Sequence, residues 1–451
     1  MTVGRAVQWH RLGVNGNELI LSRTLPVGQS FAWRKVAQVS LPAPALAKNQ
    51  SESLTPASSG RVRVEDTAVT WRGVIGRRAI ELQQTDDGDV WYRFGREAGK
   101  RQKGKKENKD KTLEHAIHTP TATPSSALSP CKDDDDVSSV HALLHSYFRL
   151  DVDYVKLHSH FIGCDTTGRY RKLAPYTIGC RVLEQDPIEC LFSFICSSNN
   201  NIARIHKMVD FLREKYGDEI EDVPWRRCEK IQTSKMSVNT SINSKSKDSN
   251  GLRKSSNGEA KINGDLHNDR VLHTFPTLKQ LSHATEEELR ANGFGYRAKF
   301  IVDTATMLTT LSGEKSLENG GEKGHENENK SEDWLLDLRH CQDRKHVLSS
   351  LEQLPGIGPK VARCIALFCL STDDSIPVDT HVWQITKKYY SSYLVDEIRG
   401  ASMQAQAKQK NDSTAKEELL LASMPKTLTP KVMEHIENVF TKIFGEYSVR
   451  F

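Results

Sequence analysis

No Cys-x2-Cys pair occurs anywhere in the chain, although it carries nine cysteines. That excludes a zinc finger built on paired thiolates and a four-cysteine iron–sulfur loop. The cysteines are odd in number and scattered. Cys190, Cys196 and Cys369 sit in apolar helical runs, the pattern of reduced, buried thiols in an intracellular protein. No apolar run approaches the roughly 18 residues that suggest a membrane span, so no membrane partner is expected. No signal-peptide core opens the chain; its first 17 residues lack acid and carry Arg5 and Arg11, a weak presequence signal. Apolar residues are also few. At 37% hydrophobic over 451 residues, part of the chain is expected to stay unfolded, with room for two or three domains. The net charge of +5 and pI near 8.6 are compatible with nucleic acid without demanding it.

What is present centres on Leu354-Pro-Gly-Ile-Gly-Pro-Lys-Val-Ala-Arg-Cys364. Val347, Leu348 and Leu351 before it, and Val361, Ile365 and Phe368 after it, carry helical apolar spacing. Pro355, Gly356 and Gly358 make a tight turn between the two helices, and Pro359 suits the first position of the second, where its missing N–H costs nothing. The free N–H groups of such a turn form an anion site suited to a phosphate, the geometry of a helix–hairpin–helix gripping a DNA backbone. Lys360 stands in the first helical turn, where the dipole disfavours an ammonium. A partly desolvated amine there can lose its proton and act as a nucleophile. Nineteen residues on, after Pro377, comes Asp379, a carboxylate able to steady a cation developing on a sugar. Lys360 read more plainly is a phosphate-neutralising surface lysine, and Asp379 a helix N-cap.

Residues 1–94 read as β-rich, with short strands at Leu19–Leu21, Arg61–Val64, Val69–Trp71, Ala79–Leu82 and Val90–Phe94 separated by turn residues. The stretch 97–137 holds a basic run from Lys100 to Lys106, a Thr/Pro/Ser tract and Asp133 to Asp136, and is expected to be a disordered insert. From Val140 the pattern turns helical. Asp186-Pro187 opens an apolar helix to Ser198, and Ile202, Ile205, Val209 and Leu212 mark another ending near Gly217. Residues 230–268 and 312–332 are low-complexity inserts in composition. The expected organisation is an N-terminal antiparallel domain over 1–137 and a helical domain over 138–451, an α+β fold.

The hairpin segment followed by Ile376-Pro-Val-Asp-Thr-His-Val-Trp383 closely resembles the eukaryotic 8-oxoguanine DNA glycosylase/lyase family of the helix–hairpin–helix superfamily. So do Gln185 to Arg204, Gly295-Tyr-Arg-Ala-Lys299 and Leu25-Pro-Val-Gly-Gln-Ser-Phe31. The resemblance implies a sheet packed beside a helical body, no cofactor and no metal, damaged double-stranded DNA as partner, a monomer, and residence in the nucleus with the mitochondrion as a second destination. It implies Lys360 as nucleophile and Asp379 as the stabilising carboxylate. Gly28, Cys364 and Pro377 would line the base pocket. Asn199, Arg204 and Arg297 would read the cytosine left behind, Tyr296 would wedge the duplex, and His381, with Gly356 and Gly358, would meet the phosphate backbone.

The family's chemistry would be base excision by lysine attack on C1′, a Schiff base and β-elimination. Ile443 to Phe451 begins like a family segment and then stops, so a helix that completes the base pocket in the family has no counterpart here. From this, weak excision or lyase action alone is expected, with Val432, Ile436, Val439 and Phe440 left exposed. Two rival readings stay open: a related glycosylase for another base, and a non-catalytic DNA-binding protein using the hairpin only for grip.

Overall fold

A computed structural model of the protein describes residues 8–36, 69–99, 132–221, 223, 225, 271–318, 333–399, 425–445 and 447–448. The expected strand Arg61–Val64, the basic run Lys100–Lys106 and the insert 230–268 lie outside these residues.

Five strands form one antiparallel sheet: β1 (His10–Arg11), β2 (Trp33–Val36), β3 (Thr70–Ile75), β4 (Arg78–Gln84) and β5 (Val90–Phe94), ordered β1-β5-β4-β3-β2. A two-residue turn at Gly76-Arg77 joins β3 to β4, with Gly76 at φ +55°. Three expected strands lie within or overlap β3, β4 and β5. Leu19–Leu21 is not a strand. The Asn15 side chain accepts hydrogen bonds from the Asn17 and Glu18 N–H groups at 2.9 and 3.2 Å, winding the chain into a turn that leads to helix α1 (Leu21–Thr24).

The apolar face of the sheet, with Trp33, Trp71, Ile80, Leu82 and Tyr92, packs on Val140, Leu144 and Tyr147 of helix α2 (Lys132–Tyr147). Trp33 Nε1 donates to the Tyr147 hydroxyl at 2.9 Å. The expected insert 97–137 is therefore ordered at both ends. Ala98 is buried and bonds back to Arg77, and Lys132 to Val137 form the first turns of α2. Asp136 also meets Arg78 of β4 at 2.7 Å.

The remainder is helical, apart from a two-residue ribbon of β6 (Glu219–Ile220) and β7 (Leu272–His273). In order come α3 (Tyr154–Cys164), α4 (Arg169–Thr177), α5 (Pro187–Ser197), α6 (Ile202–Tyr216), α7 (Leu278–Leu281), α8 (Glu286–Ala291) and α9 (Arg297–Glu318). Then follow α10 (Asp333–His340), α11 (Arg344–Glu352), α12 (Pro359–Cys369), α13 (Thr380–Tyr389), α14 (Ser391–Arg399) and α15 (Pro430–Phe444). Helix α9 runs into the stretch 312–332 expected to be an insert. Extending an existing helix needs no new nucleus. Among the described residues no helix is long and apolar enough to cross a membrane.

Helix α5 is the axle of the body. Asp186 caps it by accepting the Glu189 N–H at 2.8 Å, and every residue from Ile188 to Cys196 is buried. Around it pack α6, α9 and α12, with α11 packed on α12, and Phe31 from the sheet side joins the same cluster. A second cluster joins α3, α4, α13, α14 and α15, and it takes in Val432, Ile436, Val439 and Phe440. Those four residues are buried, against the expectation that they would be exposed, because α15 turns its apolar stripe onto α14 and α3. One buried ion pair ties the two clusters. Arg363 of α12 grips Glu437 of α15 through Nε and Nη2 at 2.5 and 3.0 Å, with the carboxylate wholly inaccessible. Burial pushes the Glu437 carboxyl above its ordinary range, while Arg363 pulls it back. Glu437→Ala should therefore destabilise the fold by about 3–5 kcal/mol, the cost of leaving a buried partner uncompensated. The readout is denaturant or thermal unfolding; an unchanged midpoint would show that the pair contributes nothing net.

Candidate active site

The hairpin is built as the sequence suggests. Leu354 and Ile357 are buried beneath it, and their backbones close the turn through the Leu354 N–H to Leu351 and the Ile357 N–H to Leu354. Gly356 stands at φ +81°, and a Cβ there would sit 2.4 Å from the Phe300 ring of α9. Both facts restrict the position to glycine. Gly358 is the N-cap of α12, with open space where a side chain would stand. No side chain caps this helix start, so its first N–H groups face outward for an anion.

Pro359 at N1 places Lys360 on the second residue of α12, half-buried, one turn before Cys364. Cys364 is buried in the core, and burial pushes its thiol up. The neighbouring Lys360 ammonium, within hydrogen-bond reach, opposes that rise, and the charge of Asp379 adds to it. The thiol thus feels the charge of both Lys360 and Asp379. Asp379 is indeed the N-cap of α13: its Oδ1 accepts from the His381 and Val382 N–H groups at 2.8 and 3.0 Å. That leaves Oδ2 uncommitted among the described residues. The capping role and a catalytic role are compatible, because each uses a different oxygen. No ion pair joins Lys360 to Asp379. Pro377 is half-buried just before them, and the His381 side chain is exposed.

A second group assembles where α5 meets α6 and where α9 begins. Asn199 is exposed at φ +47°, at the apex of the turn. Arg204, also exposed, donates Nη2 to the Gly293 carbonyl at 2.6 Å. Tyr296 is 44% exposed, so it is not a core residue; its hydroxyl donates to the Ser198 carbonyl at 3.0 Å. Arg297 is engaged by the protein itself. It is buried, its Nε donates to the Ser198 carbonyl at 3.0 Å and its Nη2 to Asn199 at 2.9 Å, and it stacks 4.5 Å over Tyr296. In this conformation Arg297 holds the backbone that presents Asn199.

Phe300 connects the two groups. It lies under Gly356 and edge-on to Tyr296 at 5.7 Å, so the hairpin and the Asn199 turn share one support. The sequence reading missed it, although Phe300 follows Tyr296 by four residues across the start of α9. Gly28, at φ +80°, rests on Ile202 at the start of α6, and no hydrogen bond among the described residues occupies its carbonyl. Arg363 and Glu437 were likewise not singled out; they lie 74 positions apart, and no local pattern pairs them.

Comparison with known proteins gives these residues a family. The 8-oxoguanine DNA glycosylase N-terminal domain matches residues 11–191, and the HhH-GPD superfamily base excision DNA repair protein matches residues 192–398. The chain is 29% identical over 441 residues to the N-glycosylase/DNA lyase OGG1 of Arabidopsis thaliana, covering 98% of this chain and 77% of that protein. It is 32% identical over 267 residues to the N-glycosylase/DNA lyase of Saccharomyces cerevisiae, covering 58% of this chain and 54% of that one. In fold it is similar to the 8-oxoguanine glycosylase/lyase of Clostridium acetobutylicum, solved with double-stranded DNA containing cytosine opposite 8-oxoG. That match has a TM-score of 0.52 at 18% identity, covering 98% and 95% of the two chains.

A sheet domain set against a helical body whose hairpin presents a lysine defines a base-excision repair protein of the helix–hairpin–helix superfamily. Within that superfamily the chain belongs to the 8-oxoguanine DNA glycosylase family, enzymes that combine N-glycosylase and DNA lyase activities.

Proposed function

We propose that the protein excises 8-oxoguanine opposite cytosine from duplex DNA and then nicks the strand, with Lys360 as nucleophile and Asp379 as the charge-stabilising group. The observation that carries the proposal is the convergence of Lys360, Cys364 and Asp379 beside an uncapped hairpin helix. A damaged base in a duplex is out of reach, so it is flipped into the site at an unstacking cost of roughly a few kcal/mol. The Lys360 amine, once neutral, forms a bond to C1′ while the bond from C1′ to the base nitrogen breaks. The base leaves with that electron pair and takes up a proton. Positive charge developing on the sugar falls to the free oxygen of Asp379. Opening of the sugar ring gives a Schiff base, and loss of a C2′ proton then expels the 3′ phosphate. Gly28, Cys364 and Pro377 would border the flipped base, and His381 with the Gly356 and Gly358 backbone would hold phosphates. The test is excision from duplexes carrying 8-oxoguanine opposite each normal base, with borohydride trapping. An untrapped, uncut lesion strand that is still bound would favour a mere DNA-binding protein.

The opposite base is assigned by the second group. Arg204, exposed beside Asn199, would meet the orphan cytosine directly, and each good base contact is worth about 1–3 kcal/mol of discrimination. Arg204→Ala is accordingly expected to flatten the preference for cytosine over adenine by about ten-fold or more. Arg297→Ala should act differently. It frees the Ser198–Asn199 backbone and so weakens binding opposite every base. Equal loss of preference in both variants would show that Arg297 leaves its carbonyls to read the base as well.

A further inference from the structure

The loop from Leu370 to Val378 sets the separation between the lysine helix and the aspartate, since α12 ends at Cys369 and Asp379 caps α13. Ile376 and Val378 bury one end of it. The other end is held by charge. Arg149, just past α2, grips Asp373 through Nη1 and Nη2 at 2.7 and 3.0 Å, in a largely buried, two-pronged pair. Its Nη1 also lies 3.7 Å from Glu184. Glu184 in turn accepts from the Ser371 hydroxyl at 3.0 Å on both oxygens and forms an ion pair with Arg339 at 3.0 Å. Arg339 donates Nε and Nη2 to the Cys369 carbonyl, at 2.9 and 2.6 Å, and so caps the far end of the lysine helix. The next residue of the loop, Asp374, is met by Arg344, whose Nη1 donates to its carbonyl at 2.9 Å.

Two non-glycine residues in this network adopt the left-handed region, Arg149 at φ +49° and Ser371 at φ +57°. Such conformations are costly and persist only where the surroundings over-determine them. Here they do. The buried Arg181 guanidinium takes the Arg149 carbonyl, together with those of Phe148 and Val152, and so fixes the direction in which Arg149 leaves its helix. Arg149 and Asp373 are 224 positions apart, and Arg149 touches neither Lys360 nor Asp379 in any described contact.

We infer that Arg149 is a positioning residue for base excision: through Asp373 and Glu184 it fixes the loop that sets where Asp379 stands relative to Lys360. This rests on the catalytic reading of those two residues. Displacement of about 1 Å in such a pair can cost ~100-fold in rate. Cleavage of the base–sugar bond needs the Asp379 charge, whereas attack of the amine on a pre-formed abasic aldehyde does not pass through the same cation.

The experiment uses the full chain and measures two rates on one preparation, so that any unfolded fraction cancels in their ratio. One is single-turnover excision of 8-oxoguanine; the other is strand cleavage at a pre-formed abasic site. Arg149→Ala and Asp373→Asn are each expected to lower the excision-to-cleavage ratio at least ten-fold, with lesion affinity held within about two-fold. Arg149→Lys, which restores the charge without the planar fork, should recover part of the ratio. The double variant should be no worse than the poorer single one. An unchanged ratio in both single variants, or additive losses in the double, would overturn the inference and leave Arg149 a strut between domains. Wild-type protein that excises nothing would overturn the catalytic reading itself, a result distinct from either.

Discussion

Lys360→Gln is expected to abolish base excision and borohydride trapping together, with losses of several orders of magnitude, while duplex binding survives. Glutamine keeps much of the length and the polarity of lysine but has no nucleophilic lone pair. The hairpin that would grip the backbone does not depend on the side chain: its turn is set by Gly356 over Phe300 and by the buried Leu354 and Ile357. Removing the charge also relieves Cys364 of the ammonium that opposes its upward shift, so the thiol should become still harder to ionise. Thiol alkylation in the variant would report this independently. The combined readout is gel-resolved cleavage, trapping and equilibrium binding to the same lesion duplex. A variant that still traps would remove Lys360 from the mechanism.

Asp379→Asn is expected to slow excision by orders of magnitude with little change in lesion affinity or stability. Asparagine is as good an N-cap as aspartate, so its Oδ1 can still take the His381 and Val382 N–H groups. The substitution therefore removes the charge and spares the helix. Asp379→Ala would remove both, with a capping loss of about 0.5–2 kcal/mol. Comparing the two separates positioning from electrostatics. A group that acts only in the transition state lowers the catalytic rate without weakening ground-state binding. Should Asp379→Asn weaken binding and leave the single-turnover rate intact, its role would be contact with DNA.

Much of the local architecture can be read directly from residues near one another in the chain. Strands β3 to β5 follow alternating β-branched and aromatic residues, α5 follows its Asp-Pro start, and the hairpin follows its glycines, because these signals act over a few residues. Expectations failed where a short-range pattern met a longer-range partner. Leu19–Leu21 has strand composition, yet distant groups take its backbone: Gln84 accepts the Leu21 N–H and donates to the Leu19 carbonyl, and the Ile20 N–H donates to the Gly179 carbonyl. The acidic run Asp133 to Asp136 has the composition of a linker, yet it opens a helix docked on the sheet through Arg78.

The sequence by itself determined which groups can do chemistry: an amine on the second residue of a helix, a carboxylate nineteen residues later, and a turn with N–H groups to spare. Tertiary structure alone decided how those groups are held. Arg297 proves buried against the backbone of Asn199. Arg149 reaches Asp373 across 224 positions, and Arg363 reaches Glu437 across 74. The physical reason is one of range. Helix starts, caps and turns are set by neighbours within about four residues, whereas a buried charge must find its counter-charge wherever the packed chain brings one.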